Sequence, residues 1–332
     1  MAEQRVDVVV VGGGLSGLAC AGALAPGTRA LLLEAQDRFG GRVFPSAHEQ
    51  LAPGLELDLG AEFVHGDGTV LHQYAAEEGW ALRQIFIWAH GDGGPLEEAA
   101  PDGGAGYYYV GGDQRLYRFD ELPDELETLS DELDLLSSTK VTEENKTWDM
   151  ARYLASRGVS RKGLAMAQAG YGNTLGASLE HLSLGLTCRI ERLWDNDGGD
   201  TDYRVHPSCR PIVERLVKRA SARAQLRSGA RVESVHRADD GSDDIIVSYS
   251  LVNGRRFRVR TAAVTITVPI PILQGQIPSE QIQFRPALPA DKRDALERLR
   301  VRSAMKIVAR FSSRFWPEDM HGTICADCPI PE

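Results

Sequence analysis

Three glycines at G-x-G-x-x-G spacing, Gly12, Gly14 and Gly17, stand between an apolar run at 6–11 and a small-residue-rich stretch at 15–24. Each glycine has its own task in such a motif. Gly12 permits a tight turn, Gly14 lets backbone approach a pyrophosphate, and Gly17 lets a helix lie close to a strand. The helix start presents unpaired N–H groups and the positive end of its dipole to phosphate. Glu34 closes a second apolar run at 29–33, at the distance where a carboxylate accepts ribose hydroxyls. Its negative charge disfavours a 2′-phosphate. The chemistry these residues support is the binding of a dinucleotide of the NAD or FAD type.

Further candidates lie downstream. Glu62 and His65 stand three apart after the strand-like alternation of Leu55, Leu57 and Leu59, with Gly60-Ala61 giving a small-residue approach to a flat ring. A carboxylate there could hold an ammonium group and an imidazole a second nitrogen. A pairing of Glu62 with an arginine, together with a turn-capping His65, is the reading the residues alone favour. Lys306 interrupts an apolar run at 304–311, where lysine is seldom buried without a partner. Its stem snorkelling to solvent is the other reading. Cys325 and Cys328 have C-x-x-C spacing, which could serve redox chemistry or half a zinc site, but no second pair accompanies them, so the spacing is read as incidental and no metal site is expected.

The run EAQDRFGGR at 34–42 and the block DLGAEFVHG at 58–66 resemble the FAD-dependent amine oxidases, the group of polyamine oxidases, monoamine oxidases and lysine-specific histone demethylases. The resemblance implies FAD, bound non-covalently. It implies that Gly40 and Gly41 pass close to the nucleotide and that Arg42 reaches the pyrophosphate. It places Gly60 and Ala61 beside the isoalloxazine, Glu62 and His65 in the substrate cavity, and the backbone of Val232 on the adenine. Lys306 takes the position of the family's active-site lysine, which holds a water near the flavin N5. One departure is visible: His206-Pro207-Ser208-Cys209 stands where the family usually has a glycine pair before a helix.

The elements that must position these residues follow from periodicity and from the resemblance, which implies an α/β fold: a Rossmann-like FAD-binding domain at 1–66 and 205–268, with an inserted α+β substrate domain at 67–204 and 269–332. Helices are expected at 69–79, 147–157, 162–175, 211–224 and 291–299, with only a short turn at 182–186. Leu122, Leu126, Leu129, Leu133 and Leu136 predict an amphipathic helix whose acidic faces are solvated. Strands are expected at 85–88, 107–110, 203–205, 230–235, 245–251, 255–259, 263–268 and 304–311, with hairpin turns at 239–242 and 253–254.

At 332 residues with a formal charge of −10, the chain has room for two cores and a balance that disfavours nucleic acid and mildly favours cationic ligands. No apolar run approaches a membrane span, and the first strand begins too early for a signal peptide. Five scattered cysteines fit reduced thiols. An intracellular, cytoplasmic protein without a membrane partner is expected. The family's closing segment, with a second flavin-binding acid, is missing, and a truncated sequence is the expectation. The resemblance implies oxidation of a polyamine or secondary amine to an imine, with O2 reduced to H2O2. An amino-acid oxidase or desaturase type of flavoenzyme, or a non-catalytic FAD-binding protein, stands as the alternative.

Overall fold

A computed structural model describes residues 4–85, 105–110, 112–118, 123–196, 202–302, 304–326 and 328. The chain divides into two compact units, Met1–Glu62 with Pro207–Val301 and Phe63–His206 with Arg302–Glu332. The first opens with β1 (Gln4–Val11), which runs parallel to β2 (Ala30–Leu33). Val9, Val10, Leu31 and Leu32 are fully buried, as expected of central parallel strands covered on both faces. Between them α1 (Leu15–Gly22) buries Gly17, Leu18 and Ala21. A short antiparallel pair follows, β3 (Pro45–Ala47) with β4 (Glu56–Asp58).

The second unit begins with β5 (Phe63–His65) and α2 (Val70–Glu78). The Thr69 hydroxyl caps α2 by accepting from the His72 N–H, and Gly79 closes it at φ 67°, a left-handed conformation that costs glycine little. The strand expected at 85–88 lies mostly outside the described residues, but β6 (Leu82–Ile85) precedes it. Then come β7 (Ala105–Val110), β8 (Arg115–Arg118) and the acidic helix α3 (Asp124–Asp134). Leu126, Leu129, Leu133 and Leu136 are buried as the spacing predicts; Leu122 lies outside the described residues. They pack with residues of α4 (Met150–Ser156) and α5 (Arg161–Ala167).

The helix expected at 162–175 does not run through uniformly. After α5 the chain widens into a π turn at Gln168–Gly172. There a Cβ on Gly170 would sit 2.7 Å from the Ile324 side chain. The turn expected at 182–186 is instead the start of the thirteen-residue α6 (Leu184–Asn196). Its buried side includes Leu184, Cys188 and Glu191, at helical spacing, and the polar Glu191 hides that face from a hydrophobicity reading. Glu191 is buried because the Tyr171 hydroxyl donates to it; desolvation, with the carboxylate adding, drives the phenol pKa upward. β9 (Asp202–Val205) lies between β5 and β6.

The chain re-enters the first unit through α7 (Arg210–Ser221), β10 (Gln225–Arg227), β11 (Ala230–Arg237), β12 (Ile245–Leu251) and β13 (Arg256–Ile266). It continues through α8 (Ile270–Leu273), β14 (Gln283–Arg285) and α9 (Ala290–Arg298). The unit's sheet has the order β10-β2-β1-β13-β12-β11-β14. Where two strands were expected at 255–259 and 263–268, β13 is continuous. It pairs in parallel with β1 from Val259 to Ile266 and antiparallel with β12 from Arg256 to Thr261. Thr261 is buried within it, its hydroxyl donating to the Ala263 carbonyl at 3.0 Å. Residues 269–301, expected in the second domain, fall in the first unit, where β14 extends the sheet by pairing in parallel with β11.

The expected strand at 304–311 is absent. Its described residues are exposed and irregular, with Met305 at 83 % and Phe311 at 53 % of full exposure. A strand persists only with ladder hydrogen bonds to a neighbour, and no described strand pairs with this stretch. Farther on, β15 (Met320–Ala326) pairs in parallel with β7, giving a sheet of order β15-β7-β8.

Asp319 anchors β15, accepting from the Tyr107 hydroxyl at 2.9 Å and from the Arg118 guanidinium. The Tyr107 hydrogen bond, then that of Arg118, holds its carboxyl below the ordinary value. A lowered folded pKa contributes stability that is complete above the unfolded value and lost as pH falls through the folded one. Acid titrations followed by circular dichroism should show wild type losing stability over that range, and Asp319→Asn with a shallower loss.

Candidate functional site

The glycine turn is built on close backbone approach. Gly12 has φ +106°, a region open to glycine. A Cβ on Gly17 would stand 1.9 Å from the Gly12 carbonyl oxygen, far inside contact distance. The Thr267 hydroxyl lies 2.9 Å from the Val11 carbonyl oxygen and 3.1 Å from that of Gly12, and it would meet a Cβ on either glycine at 2.8 Å. Thr267 follows β13, so the far strand helps close the turn. Sequence reading missed it because its role depends on a parallel pairing across more than 250 residues.

Glu34, at the end of β2, is 9 % exposed. Its carboxylate accepts from the Gly13 N–H at 2.5 Å and the Gln36 N–H at 2.7 Å. Two backbone donors fix the side chain beside the turn, and each carboxylate oxygen keeps lone-pair capacity for ribose hydroxyls. Gly13, inside the motif but outside the three spaced positions, is constrained too: a Cβ there would lie 2.7 Å from the Phe39 ring.

The second glycine segment lies against the first. The Gly40 N–H donates to the Gly13 carbonyl at 2.9 Å, and a Cβ on Gly41 would stand 3.0 Å from the Gly14 Cα. Both take positive φ, +106° and +60°. Arg38, which sequence reading passed over, holds this segment. Its guanidinium donates to the Gly41 carbonyl at 2.9 Å and lies 3.8 Å from the Phe44 ring centroid. Arg42 is exposed, and its carbonyl accepts from the Ala61 N–H at 3.0 Å. A Cβ on Gly60 would meet that same carbonyl oxygen at 1.9 Å. Val232 is buried on β11, two residues beyond Ala230, whose N–H donates to the Glu34 carbonyl at 2.8 Å.

The structure thus brings Gly12, Gly14, Gly17, Glu34, Gly40, Gly41, Arg42, Gly60, Ala61 and Val232 into one connected region of the first unit. Glu62, half-buried, ends the first unit. His65, exposed on β5, belongs to the second, its ring edge-on to Phe63 at 6.1 Å. Lys306 is in the second unit and is exposed, not set in a buried strand, so the fold lends its expected role no support.

The departure at 206–209 has a local explanation. The Ser208 hydroxyl donates to Glu56, the Cys209 N–H donates to both Asp58 carboxylate oxygens at 3.1 Å, and Arg210 Nε donates to Glu56 at 2.6 Å. The Arg210 guanidinium holds the Glu56 carboxyl below its ordinary value, with Ser208 acting in the same direction. Side-chain carboxylates satisfy a helix start that a glycine turn would otherwise shape.

Among the described residues no group of three or more His, Cys, Asp or Glu is placed to hold a metal ion, and no helix is long and apolar enough to cross a membrane. All five cysteines are free thiols. The close backbone packing that glycine allows around the turn, with an anchored carboxylate at the end of β2, fits an ADP-containing cofactor.

A family model for flavin-containing amine oxidoreductases matches residues 15–329. Polyamine oxidase 2 of Arabidopsis thaliana is 28 % identical over 96 % of this chain and 61 % of its own length. An L-amino-acid oxidase of Siganus canaliculatus is 25 % identical over 94 % of this chain and 58 % of its own length. The chain therefore spans about three fifths of these relatives. A structure of putrescine oxidase bound to putrescine shares the fold with a TM-score of 0.62 at 21 % identity, over 89 % of this chain and 64 % of that one.

Gly17→Ala should destabilise the first unit by about 1–3 kcal/mol, because the added methyl meets backbone that cannot rotate away. Denaturant melts of wild type and variant check this; equal midpoints would contradict the turn geometry.

Proposed function

The chain belongs to the flavin-containing amine oxidoreductases, and from that premise we propose that the full-length protein binds FAD non-covalently and oxidises a polyamine or secondary amine. The observation that carries this reading is the stitched pair of glycine segments around Glu34, within a match that extends over nearly the whole chain. Polyamine oxidases among the relatives, and the Glu62-x-x-His65 pair, favour a polycationic amine.

Each residue has a defined task in this proposal. Backbone N–H groups at the start of α1 bind the pyrophosphate, which the Gly14 and Gly41 main chains can approach without side-chain hindrance. Arg42 offsets phosphate charge, and its planar guanidinium suits two parallel bonds to phosphate oxygens. Glu34 binds the ribose hydroxyls and repels a 2′-phosphate. The Val232 backbone contacts the adenine, and Gly60 with Ala61 lets the chain approach the flat ring. Glu62 draws the substrate's ammonium groups and His65 bonds a second nitrogen. Lys306, through Nζ, holds a water beside the reacting face. The cofactor, when bound, supplies a two-electron acceptor for oxidising the carbon beside an amine nitrogen to an imine, with O2 returned as H2O2.

A second reading, oxidation of an L-amino acid, is favoured by the L-amino-acid oxidase relative. The full-length purified protein separates the two. Flavin absorbance bands, and peroxide released with spermine or spermidine but not with L-amino acids, are expected. Peroxide from L-amino acids alone would support the second reading, and absence of flavin would overturn both. Lys306→Met should retain the flavin spectrum while lowering kcat by about 10–1,000-fold; an unchanged kcat would remove Lys306 from the site.

A further inference from the structure

The two carboxylates of β4 hold α7 in a way that no cofactor contact requires. Asp58 takes the Cys209 N–H on both oxygens, and Glu56 takes the Ser208 hydroxyl and the Arg210 guanidinium. Ser208 is 1 % and Cys209 2 % exposed, so the donors they supply are buried, where an unmade hydrogen bond is costly, whereas the Arg210 guanidinium reaches Glu56 from the surface. β4 is also the stem between the two segments proposed to line the flavin. One residue beyond Asp58, the Leu59 N–H donates to the Phe44 carbonyl at 2.9 Å, and the Ala61 N–H donates to Arg42 at 3.0 Å. α7 touches the first of those segments independently, since a Cβ on Gly40 would lie 3.0 Å from the Val213 side chain. The start of α7 therefore meets both segments at once, one through Val213 and the other through Asp58 and Glu56.

We propose that Asp58, with Glu56, is a positioning residue for flavin binding: by holding the start of α7, it fixes the register of the Gly40-Gly41-Arg42 segment against Gly60-Ala61. In this chain Ser208 and Cys209 supply the donors for that hold in place of a glycine turn. A neutral oxygen acceptor is enough for Asp58's part, because its partner is a backbone N–H and asparagine caps helices as well as aspartate does. The proposal rests on the reading that the first unit binds FAD.

The test uses the full-length protein, stripped of flavin and then titrated with FAD. In Asp58→Ala, hydrogen exchange at the Leu59 and Ala61 amides of the flavin-free protein should speed by about five- to thirtyfold, and the Kd for FAD should rise by a similar factor. Exchange in β12 and β13 should stay as in wild type. Asp58→Asn should restore both readouts to near wild type. Unchanged local exchange in Asp58→Ala, or acceleration spread evenly over the unit, would overturn the proposal; so would faster local exchange with an unchanged FAD Kd. A wild-type protein that binds no FAD would instead defeat the reading under Proposed function, and the exchange pattern would still decide whether the carboxylates fix the segments.

Discussion

The first unit depends on an atom that is missing. Because Gly17 has no Cβ, α1 can lie with its backbone against the Gly12 carbonyl, at a separation no other side chain permits. That contact sets how closely α1 approaches β1, and so where the first N–H groups of the helix point. Thr267 closes the same turn from β13, and Gly40 and Gly41 enter from the other side. Removing space at any of these points displaces main chain, which is why glycine at several positions and one anchored carboxylate define the site more sharply than any charged cluster does.

Packing then divides the labour between the units. In the first, buried valines and leucines of parallel strands form the sheet, and several of the candidate site residues lie at its strand ends. In the second, leucines on α3 and residues of α4, α5 and α6 make a separate helical core that β15 joins through Ile324. Polar groups inside that core are paired: Tyr153 and Arg157 donate to Glu132, and Tyr171 to Glu191. Buried carboxylates satisfied in this way keep the helices in one arrangement rather than adding much net stability.

Local signals made most of the candidate site legible. The glycine spacing, the acid after β2 and the EAQDRFGGR run each depend on a few consecutive residues, and the fold brings these segments together. What was not legible depended on distant partners. Thr267, Glu56 and Asp58 reach carbonyls, a hydroxyl, a guanidinium and a backbone N–H that only the folded chain brings near. β13 read as two strands because Thr261 breaks its hydrophobic run, although its hydroxyl is satisfied within the strand. Residues 304–311 read as a strand from their apolar run and the family resemblance, and an apolar run without a neighbouring strand is not a sheet. Family membership stands on the match over 15–329 and does not lean on Lys306.

The interleaving of the two units shapes the order in which the chain can fold. β1 takes its long parallel partner from β13, joining Val11 to Ile266, so the central sheet cannot close until residues 63–206 of the second unit have been synthesised. Pairings of such sequence separation are slow to form, and their strands stay exposed meanwhile. The helices between Asp124 and Asn196, which lie near one another in sequence, are then the part positioned to collapse first on the ribosome. During that interval the very apolar strand β1 stands available to the wrong partner, which gives a nascent chain of this topology a built-in demand for chaperone protection.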